Sequence, residues 1–470
     1  MEKKNKKITK KLLIFSKLIF FISFLFSLIL FSYSINRILY PPEFVSLKFY
    51  SISLIFSIIL IIFIFTSYKY TSDNNKINIS LILLSLGITF YTLEVSLIFL
   101  NKSYLLKTDR LKINIKDLAK QTGKPYDDRD KIEVIDDLIE SGYKAYPNIN
   151  PLHFADTDGF YHNNKKIYPL GSIAKSLSVL SNETGIYTVI KTDRFGFNNP
   201  DSIYQDKTEI IAMIGDSFVE GYASKKNEDI SAVLRNFNLN VINLGKGGSG
   251  PLIEMAILRE YALPLRPKIV LWFFYMNDLS DLKNEMKSST LKRYYYDKNF
   301  SQNLRDKQSD IDEILEEFII SEKDKIQNFE EEKSFNFNKS FNKKLINFIK
   351  LSQSRKLLEL RPKISPVFKN ILSMSKQNIS EWGGKMYFVY LPPLERYSKK
   401  EKYHNLDEIF KIVKNLDIPI IDIHKNVFKP HPNPLSLFPF EIGVHYNSTG
   451  YKLIGEAIRS RLLNDRIINK

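Results

Sequence analysis

Three long apolar runs open the chain, and shorter apolar and polar stretches alternate after them. The runs cover about residues 12–33, 49–66 and 77–100. A helix needs about 20 apolar residues to cross the hydrocarbon layer of a membrane, so each run predicts a transmembrane helix. The first run is longer than the apolar core of a signal peptide and lacks a small-residue cleavage pattern. We therefore expect residues 1–104 to form an uncleaved membrane anchor with three helices.

The basic residues beside these runs predict how the anchor is oriented. The first eleven residues contain six lysines, whereas the loop after the first run offers only Arg37 and Lys48. Loops rich in lysine and arginine stay in the cytoplasm, so the N-terminus is expected there. Three spans then place the rest of the chain outside the cytoplasm. In a Gram-negative bacterium, this describes an inner-membrane protein whose larger part lies in the periplasm.

From residue 209 onwards, strand-like apolar runs alternate with helix-like amphipathic runs. The strand-like runs are 209–214, 241–244, 268–275, 385–391 and 419–422, and the helix-like runs are 217–236, 252–261, 406–415 and 448–463. This alternation is typical of a parallel sheet whose connecting helices cover both faces. We expect an α/β fold over residues 206–470, built as a three-layer α/β/α sandwich.

Two stretches interrupt this alternation. Residues 105–205 are polar and contain turn signals such as Gly123-Lys124-Pro125, so we expect a membrane-proximal linker with a small subdomain. Residues 282–372 carry runs of mixed charge, which are typical of solvated helix faces. We expect a charged helical insertion there.

Composition narrows the functional classes. The chain has 470 residues and a formal net charge of +16, but its lysines are spread along the sequence and mixed with acidic residues. We therefore expect no nucleic-acid partner. The absence of cysteine excludes disulfides and thiolate metal sites. No motif indicates a metal or a nucleotide, so we expect no cofactor.

The candidate chemistry lies directly after the strand-like runs. Four motifs occur in order: Gly215-Asp216-Ser217, Asn243 through Gly250, Tyr275-Met276-Asn277-Asp278 and His445 through Gly450. They resemble the four sequence blocks of the SGNH (GDSL-type) hydrolase superfamily, and the resemblance covers roughly residues 209–458. A serine between the carboxyl end of a strand and a helix is also exposed in the way a nucleophile needs.

The resemblance implies a role for each of these residues. Ser217 would be the nucleophile, and His445 would be the general base that accepts its proton. The backbone N–H groups of Ser217 and Gly248 and the side-chain amide of Asn277 would form an oxyanion hole. Asp216 is expected to bond nearby backbone N–H groups and not to transfer protons.

The sequence departs from the superfamily at the acid that orients the histidine. Members usually carry an aspartate three residues before this histidine, where the present chain has Ile442. Glu441, Asp422 and a backbone carbonyl are the alternatives, and the sequence leaves all three open. A second departure is Tyr275, which stands where the third block commonly has glycine. A tyrosine there would narrow the pocket or stack on a sugar ring.

We expect a membrane-anchored serine esterase that acts on oxygen esters through an acyl-serine intermediate. By analogy, the anchor favours an envelope substrate such as an acylated glycan, polysaccharide or lipid. One alternative is an O-acyltransferase that modifies an exported polysaccharide, with a separate multispan membrane protein as acyl donor. Another, favoured by Ile442, is a non-catalytic scaffold with the same fold.

Overall fold

A computed structural model describes residues 2–39, 47–206, 208–327, 364–398 and 405–469 of the chain. The described residues fall into two units, of which the first ends at Asp109 and the second begins at Arg110. Residues 328–363 of the predicted insertion lie outside the described residues.

The described part of the first unit is helical and apolar. Helix α1 spans Glu2–Leu39, α2 spans Leu47–Tyr70, and α3 spans Asp73–Thr122, which carries it into the second unit. Each helix contains a stretch that is long and apolar enough to cross a membrane: Lys10–Leu39, Tyr50–Tyr70 and Asp73–Ser96. The prediction of three apolar helices is therefore confirmed. Their orientation across a membrane stays a prediction.

Short elements precede the central sheet of the second unit. In chain order they are α4 (Lys131–Glu140), β1 (Ala145–Pro147), β2 (Phe160–His162), β3 (Lys165–Ile167), β4 (Leu177–Val179) and β5 (Val189–Lys191). Strands β1, β4 and β5 form a small sheet in that order, and β2 and β3 form a separate antiparallel pair. The hairpin between β4 and β5 contributes a residue to the candidate site.

Five parallel strands form the central sheet. They are β6 (Ile210–Ile214), β7 (Asn240–Asn243), β8 (Ile269–Phe274), β9 (Lys385–Tyr390) and β10 (Ile420–Asp422). Their spatial order is β7-β6-β8-β9-β10. From β6 the chain adds β7 on one side, and it then adds β8, β9 and β10 on the other side of β6. The pair β6 and β8 is therefore a topological switch point. In such sheets a crevice opens at the carboxyl ends of the two strands, because their following loops diverge.

Helices connect and cover the strands. Those described after β5 are α5 (Ser217–Glu220), α6 (Ile230–Arg235), α7 (Pro251–Ile257), α8 (Asp278–Glu285), α9 (Ser289–Tyr296), α10 (Gln308–Gln327), α11 (Pro366–Glu381), α12 (Glu395–Ser398), α13 (Leu406–Asn415) and α14 (Ser448–Asn464).

The sheet is buried on both faces because alternate strand residues point in opposite directions. Leu271 belongs to a core on one face that includes Leu234 of α6 and Ile454 of α14. Phe274 points to the other face, where its ring centroid lies 5.5 Å from that of Phe368 on α11. The predicted α/β/α sandwich with a parallel sheet is confirmed.

The first helical connection differs from the prediction of one helix over residues 217–236. Helix α5 ends at Gly221, whose φ of +99° is left-handed, and α6 begins only at Ile230. The side chain of Asp229 accepts hydrogen bonds from the N–H groups of Ser231 and Ala232 and so starts the second helix. Apolar periodicity ran across this break, but the glycine and aspartate caps decide the structure.

Candidate active site

Ser217 occupies the turn between the first strand of the central sheet and α5. The turn is tight, since a Cβ at Gly215 would lie 2.6 Å from Val219 Cγ2 and 2.9 Å from Phe273 Cβ. Asp216 begins the helix by accepting a hydrogen bond from the Phe218 N–H at 3.0 Å. Burial raises the pKa of Asp216 to about 6. Ser217 is thus held by its neighbours at the mouth of the switch-point crevice.

His445 lies against this serine. Its Nε2 is 2.7 Å from Ser217 Oγ, and its ring centroid lies 4.6 Å from that of Phe218. The following residue, Tyr446, is buried and donates its hydroxyl to the Pro392 carbonyl at 2.6 Å. The helix after it starts at Asn447, whose side chain accepts from the Gly450 N–H at 3.0 Å. Contacts on both sides of His445 therefore direct Nε2 towards Ser217.

The second ring nitrogen of His445 is bonded to Glu183. Nδ1 lies 2.6 Å from Glu183 Oε1. The other oxygen, Oε2, accepts the backbone N–H groups of His445 and Val444 at 3.0 and 3.1 Å. Burial acts to raise the pKa of Glu183, but the charge of His445 and these hydrogen bonds outweigh burial, and the net pKa is lowered. Glu183 is therefore a carboxylate that orients the imidazole.

A rigid turn presents Glu183 to the site. It connects β4 and β5, and the Gly185 N–H donates to the Asn182 carbonyl within it. The turn also bonds to the segment after α3: Asp127 N–H donates to the Gly185 carbonyl at 2.7 Å, and Asn182 Nδ2 donates to the Asp127 carbonyl at 2.9 Å. Gly185 has a φ of +87°, and a Cβ there would lie 2.4 Å from the Pro125 carbonyl oxygen.

The structure corrects the expectation that Glu441 or Asp422 orients His445. Glu441 is exposed and accepts from Asn433 Nδ2 at 2.9 Å. Asp422 accepts from the Lys425 N–H at 3.1 Å after the end of β10. Sequence reasoning missed Glu183 because it lies in a turn outside the central sheet. The surrounding Ser-Asn-Glu-Thr-Gly marks a turn, but nothing in it marks an acid with a partner.

The three predicted oxyanion donors lie in the loops that follow the central strands. Gly248 has a left-handed φ of +71°. Within the described chain, neither its N–H nor that of Ser217 has a hydrogen-bond acceptor. Asn277 follows β8 at the switch point, and its Nδ2 donates to Asp281 Oδ2 at 2.8 Å. An amide nitrogen carries two hydrogens, and hydrogen bonding by Asn277 also acts to lower the pKa of Asp216.

A half-buried carboxyl group, Asp281, and a buried one, Glu285, lie on the Asn277 side of the site. Burial raises the pKa of Asp281 to about 7 and that of Glu285 to about 8. Glu285 accepts the N–H groups of Gly250 and Leu252 at the start of α7, at 2.6 and 2.9 Å. The described residues contain no group of three or more His, Cys, Asp or Glu side chains arranged to hold a metal ion.

Tyr275 packs beside the turn that contains Ser217. Its ring centroid lies 4.4 Å from that of Phe218, at an interplanar angle of 36°. Phe218 is also in contact with the His445 ring. The tyrosine is half-buried, so it forms part of the aromatic support under the Ser217–His445 pair.

The chain matches no family model and no curated protein. Among solved structures it is similar to the lipase/acylhydrolase from Enterococcus faecalis, at 16% identity and a TM-score of 0.32, over 55% of this chain and 97% of that one. It is similar to an acetyl xylan esterase at 12% identity and a TM-score of 0.30, over 54% and 99%. A two-domain esterase active on acetylated mannans gives 12% identity and a TM-score of 0.28, over 56% of this chain and 51% of that one. Likeness at this level carries no conclusion about substrate.

Proposed function

We propose that this protein is a membrane-anchored serine esterase of the SGNH (GDSL) type, which cleaves oxygen esters through an acyl-serine intermediate. The observation that carries the proposal is the continuous hydrogen-bond chain from Ser217 through His445 to Glu183, with distances of 2.7 and 2.6 Å. A serine hydroxyl becomes nucleophilic at neutral pH when a base accepts its proton and an acceptor orients that base. The order of the four motifs supports the same reaction.

In the proposed mechanism, Ser217 Oγ attacks the ester carbonyl and its proton passes to His445 Nε2. The imidazolium is stabilised by Glu183 at Nδ1, and the oxyanion receives the N–H groups of Ser217 and Gly248 and the Asn277 amide. His445 then gives the proton to the leaving alcohol, and the acyl group stays on Ser217. A second hydroxyl compound attacks this acyl-serine while His445 accepts its proton. The bond between the acyl group and Ser217 Oγ then breaks, and His445 returns the proton to Ser217 Oγ.

The apolar helices support a proposal for the substrate class. They would hold the enzyme at a membrane, and the lysine distribution favours the outer side of the cytoplasmic membrane. The oxygen esters available there are acylated glycans, polysaccharides and lipids. Water as the second hydroxyl compound makes the protein an esterase, and a sugar hydroxyl makes it an O-acyltransferase supplied by a separate membrane partner. Product analysis with and without a polysaccharide acceptor distinguishes the two.

The scaffold alternative rested on Ile442, which stands where the superfamily usually has an aspartate. Glu183 supplies a carboxylate at that ring nitrogen, which is 2.6 Å away. This carboxylate supports the catalytic proposal over the scaffold alternative.

The test uses the full-length chain in detergent, a fluorophosphonate probe and p-nitrophenyl acetate. We expect the wild type to be labelled and to release p-nitrophenol, and Ser217→Ala to do neither. Ser280→Ala is the matched control, because Ser280 is an exposed serine in the first turn of α8. Labelling that persists in Ser217→Ala, or a folded wild type that is not labelled, contradicts the proposal.

A further inference from the structure

A buried ion pair lies next to the candidate oxyanion loop and has no part in the Ser217–His445–Glu183 chain. Lys246 is 0% exposed and Glu220 is 1% exposed. Lys246 Nζ lies 2.5 Å from Glu220 Oε1. Removing two charges from water is strongly unfavourable, so burial of such a pair is poor evidence for a purely stabilising role. A better-attested role of a buried ion pair is to select one local geometry over its alternatives.

The pair joins the two loops that carry the backbone oxyanion donors. Glu220 ends α5, the helix that begins at Ser217. Its second oxygen, Oε2, accepts the Gly247 N–H at 2.7 Å. The Lys246 N–H donates to the Gly215 carbonyl at 3.0 Å. The residues directly before Gly248 are therefore bonded to both sides of the Ser217 turn.

Asn148, from the segment that precedes the central sheet, completes this network. Its Oδ1 accepts from Lys246 Nζ at 2.5 Å, and its Nδ2 donates to the Tyr222 hydroxyl at 2.8 Å and to Glu220 Oε2 at 3.1 Å. The ring of Tyr222 lies 5.0 Å from that of His445. The network therefore contacts both the oxyanion loop and the proposed base.

We infer that Glu220 and Lys246 are positioning residues. They hold the Gly248 N–H and the Ser217 N–H in the relative positions from which both donate to the same oxyanion. The inference rests on the proposed function. Oxyanion donors act on charge that develops in the transition state and is absent from the bound ester. Displacement of the Gly248 N–H from this position therefore lowers kcat and leaves KM nearly unchanged, whereas a purely structural pair would affect folding alone.

The experiment compares full-length wild type with the double variant Glu220→Gln/Lys246→Met in detergent. Both charges are removed together, so no unpaired charge is left in the interior. We measure kcat and KM for p-nitrophenyl acetate, the rate of fluorophosphonate labelling and the thermal unfolding midpoint. Loss of one oxyanion donor costs about 10²- to 10³-fold. For a displaced donor we expect kcat to fall about 10- to 100-fold, with KM within about twofold and a folded protein.

A second variant, Glu220→Asp, keeps the charge but shortens the side chain by one methylene. Its carboxylate can no longer reach both Lys246 Nζ and the Gly247 N–H, so kcat is expected to fall here too. The control removes the same residue types from an exposed pair, Lys268→Met with Glu209→Gln, whose charged atoms lie 2.5 Å apart, and its kcat should equal that of the wild type.

The outcomes separate this inference from the proposed function. A labelled wild type together with folded variants at wild-type kcat overturns the inference and leaves the proposed function standing. A folded wild type that is not labelled overturns both. If the double variant does not fold, a Glu220→Asp protein with wild-type kcat is sufficient to reject the positioning role.

Discussion

Glu183 is the residue at which a single change has the clearest expected effect. Glu183→Gln keeps the size of the side chain but presents an amide to His445, which favours the ring tautomer with its proton on Nε2. That tautomer cannot accept the Ser217 proton. We expect the kcat for p-nitrophenyl acetate to fall about 10²- to 10⁴-fold, as for a triad acid replaced by its amide, with little change in KM.

Two matched variants distinguish this assignment from the alternatives that the sequence left open. Glu441→Gln and Asp422→Asn remove the other two acids near the histidine motif and should retain wild-type kcat. A large loss in either of them, with Glu183→Gln active, would reverse the assignment.

The sequence predicted the residues that lie in the four motifs and failed at Glu183, which lies outside them. Carboxyl ends of parallel strands meet at one edge of the sheet, so the order of the strands along the chain is enough to bring the motifs after β6 and β8 together. Glu183 is 262 residues from His445 along the chain. Its position depends on how a separate hairpin packs, and local residue patterns carry no information on that packing.

At the scale of elements, the turn between β4 and β5 should control activity through its position. Gly185→Ala places a methyl group 2.4 Å from the Pro125 carbonyl oxygen, so the turn must move and carry Glu183 with it. We expect at least a tenfold fall in kcat, roughly the effect of about 1.4 kcal/mol on the transition state, and a lower unfolding midpoint.

Gly142→Ala provides the control for this prediction. Gly142 has the same φ of +87°, but nothing lies within 4 Å of its Cβ position. Gly142→Ala imposes the backbone penalty of about 1–2 kcal/mol that an L-residue has in the left-handed conformation, without displacing the turn. Equal loss of activity in both variants would show that backbone strain, and not the position of Glu183, is responsible.

Most elements of the central sheet follow from the alternation of apolar runs, and the break at Gly221 shows where that signal stops. The predicted runs 385–391 and 406–415 correspond to β9 (Lys385–Tyr390) and α13 (Leu406–Asn415). Periodicity detects which face is buried but not whether the chain turns between two helices on that face. Gly221 and Asp229 are residues that favour helix caps, but the apolar periodicity on either side of them favours one continuous helix.

For the whole molecule, the two carboxyl groups with raised pKa values, Asp281 and Glu285, predict how stability depends on pH. Burial raises the pKa of Asp281 to about 7 and of Glu285 to about 8, whereas both titrate near pH 4 in an unfolded chain, roughly their ordinary values. At pH values between the unfolded and the folded pKa of each group, the folded state binds more protons than the unfolded chain. The free energy of unfolding therefore falls as pH rises, by up to about 1.4 kcal/mol per pH unit for each extra proton.

We expect the unfolding midpoint to be higher near pH 6 than near pH 8.5, roughly the two sides of these pKa values. Asp281→Asn removes one titrating group and keeps an acceptor for Asn277, so its midpoint should depend less on pH. Asp306→Asn, at an exposed aspartate, should follow the wild type. An unchanged pH dependence in Asp281→Asn would contradict the prediction.

The hairpin that carries Glu183 has a consequence for the evolution of this architecture. All four motifs lie between β6 and α14, whereas the acid comes from a hairpin encoded before them. The two segments can therefore mutate, shorten or be exchanged independently. A relative can keep every motif and still lose catalysis through a deletion in the hairpin, and another can recruit a new acid from any loop that reaches the histidine. Inheritance of the four motifs alone therefore does not ensure inheritance of the activity.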